Sequence, residues 1–288
     1  MKFLLVVLLS VFTISSHSQN LGKARIDKLK SSICRILIDN QVNGTGFFVS
    51  NKLIATCFHV IRPAIIVDPI TMGVTIRKIE AEFYNGDKVE IQLLDSFTID
   101  IDWAVNGQCF DFCILQTKSI PKTKISLFKL GKYQDIAEGD KIYSCGYPLG
   151  IKQLFISSGI LSTKWIDTVP YKNNIIQWDT IFLRNVSWID MTSNKGCSGS
   201  PIIKWGSTEN DDKIIGISTF ILNPFAHYTD SLNDYIKKLP PKFGAAIAGM
   251  FTSDVYKLFA SAISSNSIGV SGCVSIDYLN YYLKKVNH

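Results

Sequence analysis

Histidine is scarce in this sequence. Four residues, His17, His59, His227 and His288, serve a chain of 288. Any chemistry that needs an imidazole must draw on one of them. After the first twenty residues, no run approaches the ~20 apolar residues that a membrane-spanning helix requires. No membrane span is therefore expected once that start is removed. No block of like charge occurs either. The formal net charge is +6, but the basic residues are scattered in short clusters such as Lys237-Lys238 and Lys284-Lys285, so no nucleic-acid partner is expected. Internal repeats and low-complexity linkers are also lacking. The seven cysteines, Cys34, Cys57, Cys109, Cys113, Cys145, Cys197 and Cys273, are odd in number and match no disulfide framework. In an oxidising compartment at least one would stay free or pair with another chain, and no bridge is assigned.

What is present describes a globular chain. With 47% hydrophobic and 19% charged residues, it is long enough for one large or two modest domains with a real core. The first stretch, MKFLLVVLLSVFTISSHSQN, has a lysine, an apolar run from Phe3 to Ile14, and small residues Ser16 and Ser18 before Gln19. This is the pattern of a secretory signal over 1–18, so the mature chain is expected to be secreted or periplasmic.

Beyond it, strand-length runs rich in β-branched and aromatic residues recur at 33–39, 44–50, 52–58, 78–94, 110–117, 141–147 and 213–221. Asn85-Gly86-Asp87 predicts a tight primed turn between two alternating runs, and the sheet is expected to be largely antiparallel. Helical patterns come late, at 229–239, 253–265 and 275–286, with Thr229, Ser253 and Ser275 as N-caps. A polar stretch from 119 to 138 is suited to join two halves.

The chemistry centres on SNKGCSGSPII, residues 193–203. A serine hydroxyl is a poor nucleophile at neutral pH. It needs a histidine to take its proton, a carboxylate to hold that histidine's tautomer, and N–H donors for the developing oxyanion. Ser198 is the candidate nucleophile. Gly196, lacking a side chain, lets its own N–H and that of Ser198 approach a substrate carbonyl. His17 falls in the signal, His288 is terminal and His227 lies in a late segment, which leaves His59 as the base. Two aspartates compete for the third role: Asp111 in FDFCILQ and Asp102 in DIDWAV.

In order, GTGFFVS, LIATCFHVI, DFCILQ, LGKYQDIAEGDKIYSCGYPLG, SSGILS, IDMTSNKGCSGSPII, KIIGISTFI and GCVSIDYLNYYLKK resemble the trypsin-like serine proteases of the HtrA/Deg type. The resemblance covers most of 32–222 and resumes near 268. It implies an all-β fold of two packed six-stranded antiparallel β-barrels, with a C-terminal helix and a partly helical insertion at 223–267. The first barrel, 19–120, would carry His59 and Asp111, and the second, 121–288, Ser198. The acid of the family falls on Asp111. The resemblance further implies that Ser218, Thr219 and Phe220 run along the bound peptide and that Thr192 lies near the base of the primary pocket.

The expected activity is a serine endopeptidase acting on protein or peptide through a His-Asp-Ser triad and an acyl-enzyme, with no cofactor. Cys109 and Cys113, which flank Asp111, and Cys57, two residues before His59, also suggest a metal site with His59, but their spacing fits no zinc ribbon and none is expected. The competing reading is a catalytically inactive scaffold that binds peptides or a protein partner. Three departures from the family stand out. Cys197 replaces the Asn or Asp before the serine, Ser200 replaces a second glycine, and Cys113 replaces an alanine. No PDZ domain follows within the 288 residues, so the peptide sensing and caging linked to that domain are not expected.

Overall fold

The computed structural model describes residues 21–68, 70–71, 73–94, 110–173, 178–221 and 270–286, together with Asp234, Lys237, Lys238 and Asp254. The segment 1–18 expected as a signal, Asp102, Cys109, and the insertion 223–267 apart from those four helical residues lie outside the described residues.

The chain opens with helix α1 (Gly22–Ser32), which runs directly into β1 (Ile33–Ile38), β2 (Gln41–Phe48) and β3 (Leu53–Thr56). A one-turn helix, α2 (Phe58–Ile61), precedes a small ribbon, β4 (Ile65–Val67) and β5 (Val74–Ile76). Then come β6 (Ile79–Glu82), β7 (Lys88–Leu93) and β8 (Cys113–Thr117). Strands β1-β2-β3-β8-β7-β6 form a closed antiparallel barrel, so no edge is left to recruit a foreign strand.

The remaining elements build a second ring. They are β9 (Lys129–Leu130), β10 (Lys141–Gly146), β11 (Phe155–Asn173), β12 (Trp178–Asp190), β13 (Pro201–Lys204), β14 (Lys213–Ile221), β15 (Val270–Ser275) and α3 (Asp277–Val286). The order β13-β10-β11-β12-β15-β14 closes through a β13–β14 pairing, with β9 added in parallel on β14. Two six-stranded antiparallel barrels and a C-terminal helix are thus the architecture that the sequence predicts.

Burial explains why β1, apart from Arg35, reads as an apolar run rather than an alternating one. All six of its residues are buried, because one face fills the barrel and the other is covered as well. Arg35, the polar member, is buried against Glu82 and lies over the Tyr147 ring of the second barrel. The first core is dominated by Phe47, Phe48, Ile54, Phe83, Phe112 and Leu115. A separate cluster, including Ile142, Leu161, Ile189, Ile202 and Ile215, fills the second barrel.

Two turns exchange the chemistry that the sequence suggests. At Asn85-Gly86 only the glycine has positive φ, +85°, and Phe83 N donates to Asp87 O at 2.9 Å while Gly86 N donates to Phe83 O at 3.0 Å. This is a longer turn with a left-handed glycine, not a primed one. The two-residue primed turn sits instead at Asp39-Asn40, φ 49° and 66°, between paired Ile38 and Gln41. Asp and Asn tolerate the left-handed region because their short polar side chains bond locally.

Helix α1, unforeseen from the sequence, lies against the second barrel although it leads into the first. Arg25 Nε donates to Asp212 Oδ2 at 2.8 Å, and its Nη2 donates to Gly206 O at 2.9 Å. Asp212 is fully buried and also accepts from the Tyr143 hydroxyl at 2.7 Å and from Gly206 N at 2.7 Å. Each oxygen of this carboxylate therefore has a donor, the condition under which a buried charge is tolerated.

Candidate active site

His59 is carried by α2, immediately after β3, and is half exposed. Its ring Nδ1 lies 2.8 Å from Asp111 Oδ2, and its backbone N–H donates to Asp111 Oδ1 at 3.0 Å. A carboxylate only accepts, so Nδ1 carries the proton and the other ring nitrogen, Nε2, presents a lone pair. Asp111 adopts a left-handed φ of 51°, a conformation that costs a non-glycine residue free energy and persists only where neighbours enforce it. Those neighbours are aromatic. Phe110 stacks on Tyr278 at 4.1 Å, and Phe112 meets Tyr282 edge-on at 5.2 Å. The C-terminal helix α3 therefore grips the residues on both sides of Asp111, a support that no local sequence signal beyond the helix itself announces.

The serine lies in a tight loop between β12 and β13. Cys197 N donates to Asn194 O, Gly199 N to Ser218 O and Ser200 N to Cys197 O, at 2.9, 2.8 and 2.9 Å. Among the described residues, the N–H groups of Gly196 and Ser198 have no acceptor. Gly196 and Gly199 have φ of +99° and +86°, which only glycine adopts without strain. Among the described residues, the Ser198 hydroxyl has no hydrogen bond, and neither has His59 Nε2. Catalytic hydrogen bonds often tighten only once a substrate is bound.

Strand β2 of the first barrel holds this loop. Fully buried Thr45 donates its N–H to Ser198 O at 2.9 Å and its hydroxyl to Gly196 O at 2.8 Å, while that hydroxyl accepts from Tyr147 N at 3.1 Å. One residue earlier, Gly44 separates α2 from the serine loop. A Cβ there would stand 2.6 and 2.7 Å from the two Val60 methyls and 3.0 Å from the Ser198 carbonyl oxygen. Asn43 completes the contact by donating its amide to Val60 O. The GTG of the second strand thus sets how closely α2 approaches the serine loop, a function invisible in the segment read alone.

Of the other residues named from the sequence, Ser218 is bonded to the serine loop. Thr192 is exposed, and its carbonyl accepts from Ser157 Oγ at 2.8 Å. Ser218 is buried and its carbonyl accepts from both Gly199 N and Cys57 Sγ, the latter at 3.2 Å. Thr219 is buried at a break in the β14–β15 register, where Ser218 faces Cys273 and Phe220 faces Gly272. The departures from the family are accommodated by space. Ser200 is buried against Gly146, where any Cβ would collide with its hydroxyl, and that hydroxyl has no hydrogen-bond partner.

Cys57, His59 and Asp111 bring donor atoms within 4.8 Å of one another. Burial, and then the Asp111 carboxylate, hold the Cys57 thiol well above the ordinary range. It is therefore a neutral S–H donor, and a cation would have to displace its proton. All six described cysteines are buried free thiols, and burial raises each of them.

A family profile described as a trypsin-like peptidase domain matches residues 44–210, a span that starts at Gly44 and includes His59, Asp111 and Ser198. Two similar relatives are each named "Probable periplasmic serine endoprotease DegP-like". One is from Rickettsia conorii (strain ATCC VR-613 / Malish 7), 27% identical over 182 residues, which is 63% of this chain and 29% of the relative. The other is from Rickettsia prowazekii (strain Madrid E), 26% identical over 182 residues, which is 63% of this chain and 28% of the relative. The match therefore spans less than a third of those relatives. With the double barrel described above and the profile covering more than half of its residues, the chain belongs to the trypsin-like peptidase domain family.

Proposed function

We propose that this chain is a secreted or periplasmic serine endopeptidase. The observation that supports this most directly is the pairing of two features. Asp111 holds His59 through both its ring and its backbone, and the serine loop leaves two N–H groups, of Gly196 and Ser198, without acceptors while bonding their neighbours. In this reading His59 takes the proton of Ser198 as Oγ attacks the scissile carbonyl carbon. The carbonyl electrons move onto oxygen, where the Gly196 and Ser198 N–H groups receive them. His59 then returns the proton to the leaving amine, which departs and leaves an acyl-enzyme. Water, deprotonated by the same imidazole, attacks the ester and regenerates Ser198. Asp111 fixes the tautomer that makes both transfers possible.

Thr192 and the Ser218–Phe220 strand shape the primary pocket in this proposal. Neither carries a charge, which favours small or medium apolar side chains such as Ala, Val or Leu over Lys or Arg. Export is supported by the amino-terminal pattern and by the periplasmic naming of the two relatives. Among the described residues, no helix is long and apolar enough to cross a membrane.

Labelling with a fluorophosphonate, beside Ser198→Ala, tests the proposal. The native chain should label and the variant should not, and Ser198→Ala should lower kcat on the order of 10⁶-fold, with His59→Ala close behind. Activity should also fall on acidification, because an imidazolium cannot accept the serine proton. A folded native chain that neither labels nor cleaves peptides would leave the scaffold reading, a cleft that binds without cutting.

A further inference from the structure

The ribbon β4–β5 has no counterpart in the chemistry above, yet it is rooted on the helix that carries His59. Its pairs are Ile65 with Ile76, Ile66 with Thr75 and Val67 with Val74. Opposed residues share a face and successive residues alternate, so Ile65, Val67, Val74 and Ile76 form one apolar face. Ile65 is half-buried and packs on the first core. The other three project, with Val67 46%, Val74 62% and Ile76 40% exposed. Ile70, near the tip, is 90% exposed.

This is a built element rather than a slack loop. Its root is closed by Arg77 N donating to Ala64 O at 2.9 Å, and its tip by Asp68 N donating to Gly73 O at 2.9 Å. The Asp68 carboxylate accepts from Ile70 N at 2.8 Å and Thr71 N at 3.2 Å. A two-stranded ribbon on its own gains little stability, so three exposed β-branched side chains on it are poorly accounted for by folding.

Resting on the proposed peptidase reading, we infer that this ribbon binds apolar side chains of the substrate polypeptide on the leaving-group side of the cleaved bond. Three observations lead there. The ribbon begins six residues after His59, and those residues are α2 and a single 3-10 turn, Arg62–Ala64. At 1.5–2 Å rise per residue, its root lies about 10–12 Å from His59 along the chain. Next, His59 hands its proton to the leaving amine, so the departing half of the substrate passes on the His59 side. An extended peptide advances about 3.3 Å per residue and covers that distance in about three residues. Finally, Asp68 is the sole charge between Ile65 and Ile76, so the surface offers hydrophobic contact and little attraction for a charged ligand. The side chains engaged are those at about the second to fourth positions after the cut.

The test uses the mature chain and the triple variant Val67→Thr, Val74→Thr and Ile76→Thr. Threonine keeps the β-branched shape while replacing a methyl of valine, or the ethyl arm of isoleucine, with a hydroxyl. A melting curve confirms that the variant folds, and fluorophosphonate labelling of Ser198, which needs no ribbon contact, should be unchanged. Two peptides, identical up to the cut, carry either leucine or serine at the second to fourth positions after it. The native chain should show kcat/KM about 10-fold or more higher for the leucine peptide, and the variant should reduce that ratio to about threefold or less. Anisotropy binding of both peptides to Ser198→Ala, with and without the triple change, reads the same preference without turnover. If labelling fails, the peptidase reading falls, while binding still decides the ribbon. Equal handling of the two peptides by the native chain overturns the inference. So does a sedimentation result in which the triple variant turns a dimer into a monomer, because the face would then join copies of the chain.

Discussion

Two of the junctions between the barrels are made by opposite means. At the front, beside Ser198, the junction is made of short uncharged groups: Thr45 N–H and hydroxyl on Ser198 and Gly196, and the Cys57 thiol on Ser218 O. At the back it is made of long charged arms. Arg25 reaches Asp212 and Gly206, and Lys28 donates to Glu209 O at 2.9 Å and lies over the Phe128 ring. Backbone and hydroxyl bonds have few rotatable torsions, so they fix position within tenths of an ångström. Arginine and lysine hold firmly but tolerate small shifts. The chain places the stiff junction beside the serine loop, and keeps the buried Arg25–Asp212 pair away from His59 and Asp111, whose charge balance a nearby charge would alter.

The front should therefore be the less forgiving of the two. Gly199→Ala places a Cβ against the Thr45 carbonyl and the Thr56 hydroxyl, at a φ of +86°. A loss of about 4 kcal/mol in denaturant unfolding is expected, together with loss of Ser198 labelling even where the chain remains folded. At the back, Asp212→Ala strands a partly buried guanidinium and the Tyr143 hydroxyl. It should cost about 3 kcal/mol in unfolding yet leave the labelling rate of the folded fraction unchanged. Labelling lost in both variants would erase the distinction.

Alkaline pH sharpens the contrast further. Burial raises the Cys57 thiol at the front and, with Asp212, the Tyr143 phenol at the back. A group raised on folding contributes its stability fully below its unfolded pKa and loses it as pH rises toward the folded value. Unfolded thiols titrate near ~8.5 and phenols near ~10, so the front should weaken first, by about 1.4 kcal/mol per pH unit for each such group. Melting curves from pH 8 to 11 should show the decline beginning before ~10 and becoming shallower in Cys57→Ala. The smallest effect belongs to Ser200, whose buried hydroxyl has no partner. Ser200→Ala should stabilise the chain by about 1 kcal/mol in the same unfolding measurement.

Much of this was legible in the sequence where the signal is local. The strand runs foretold β1, β3, β8, β10 and β14 to within a few residues, because β-branched residues in short bounded runs suit a pleated, buried surface. The C-terminal helix begins at Asp277 rather than 275, with the Ser275 hydroxyl accepting from Asp277 N at 3.1 Å. Scarcity of histidine singled out His59, but the choice between Asp111 and Asp102 rested on the resemblance. What escaped is long-range. Arg25 and Asp212 are 187 positions apart, and nothing in α1 announces its partner. Strands β11 and β12 pair over Ile160–Asn173 and Trp178–Asp190, far beyond the short segment noted at SSGILS. The support of Asp111 by Tyr278 and Tyr282 emerges only when both ends of the chain are folded together.

The six buried thiols carry a kinetic consequence. In the folded chain, Cys34, Cys57, Cys113, Cys145, Cys197 and Cys273 are unpaired and shielded from solvent. An oxidant has little to attack there, since the reactive species is the exposed thiolate. Each unfolding excursion in oxidising surroundings presents all of them at once, and a disulfide formed in that interval can link a cysteine of one barrel, such as Cys34, to one of the other, such as Cys273. Such a chain cannot return until the bond is exchanged, so oxidation turns a reversible opening into a ratchet. The lifetime of the protein in an oxidising medium would then be set by how seldom it unfolds, and the rate of unfolding rather than its free energy becomes the property under selection.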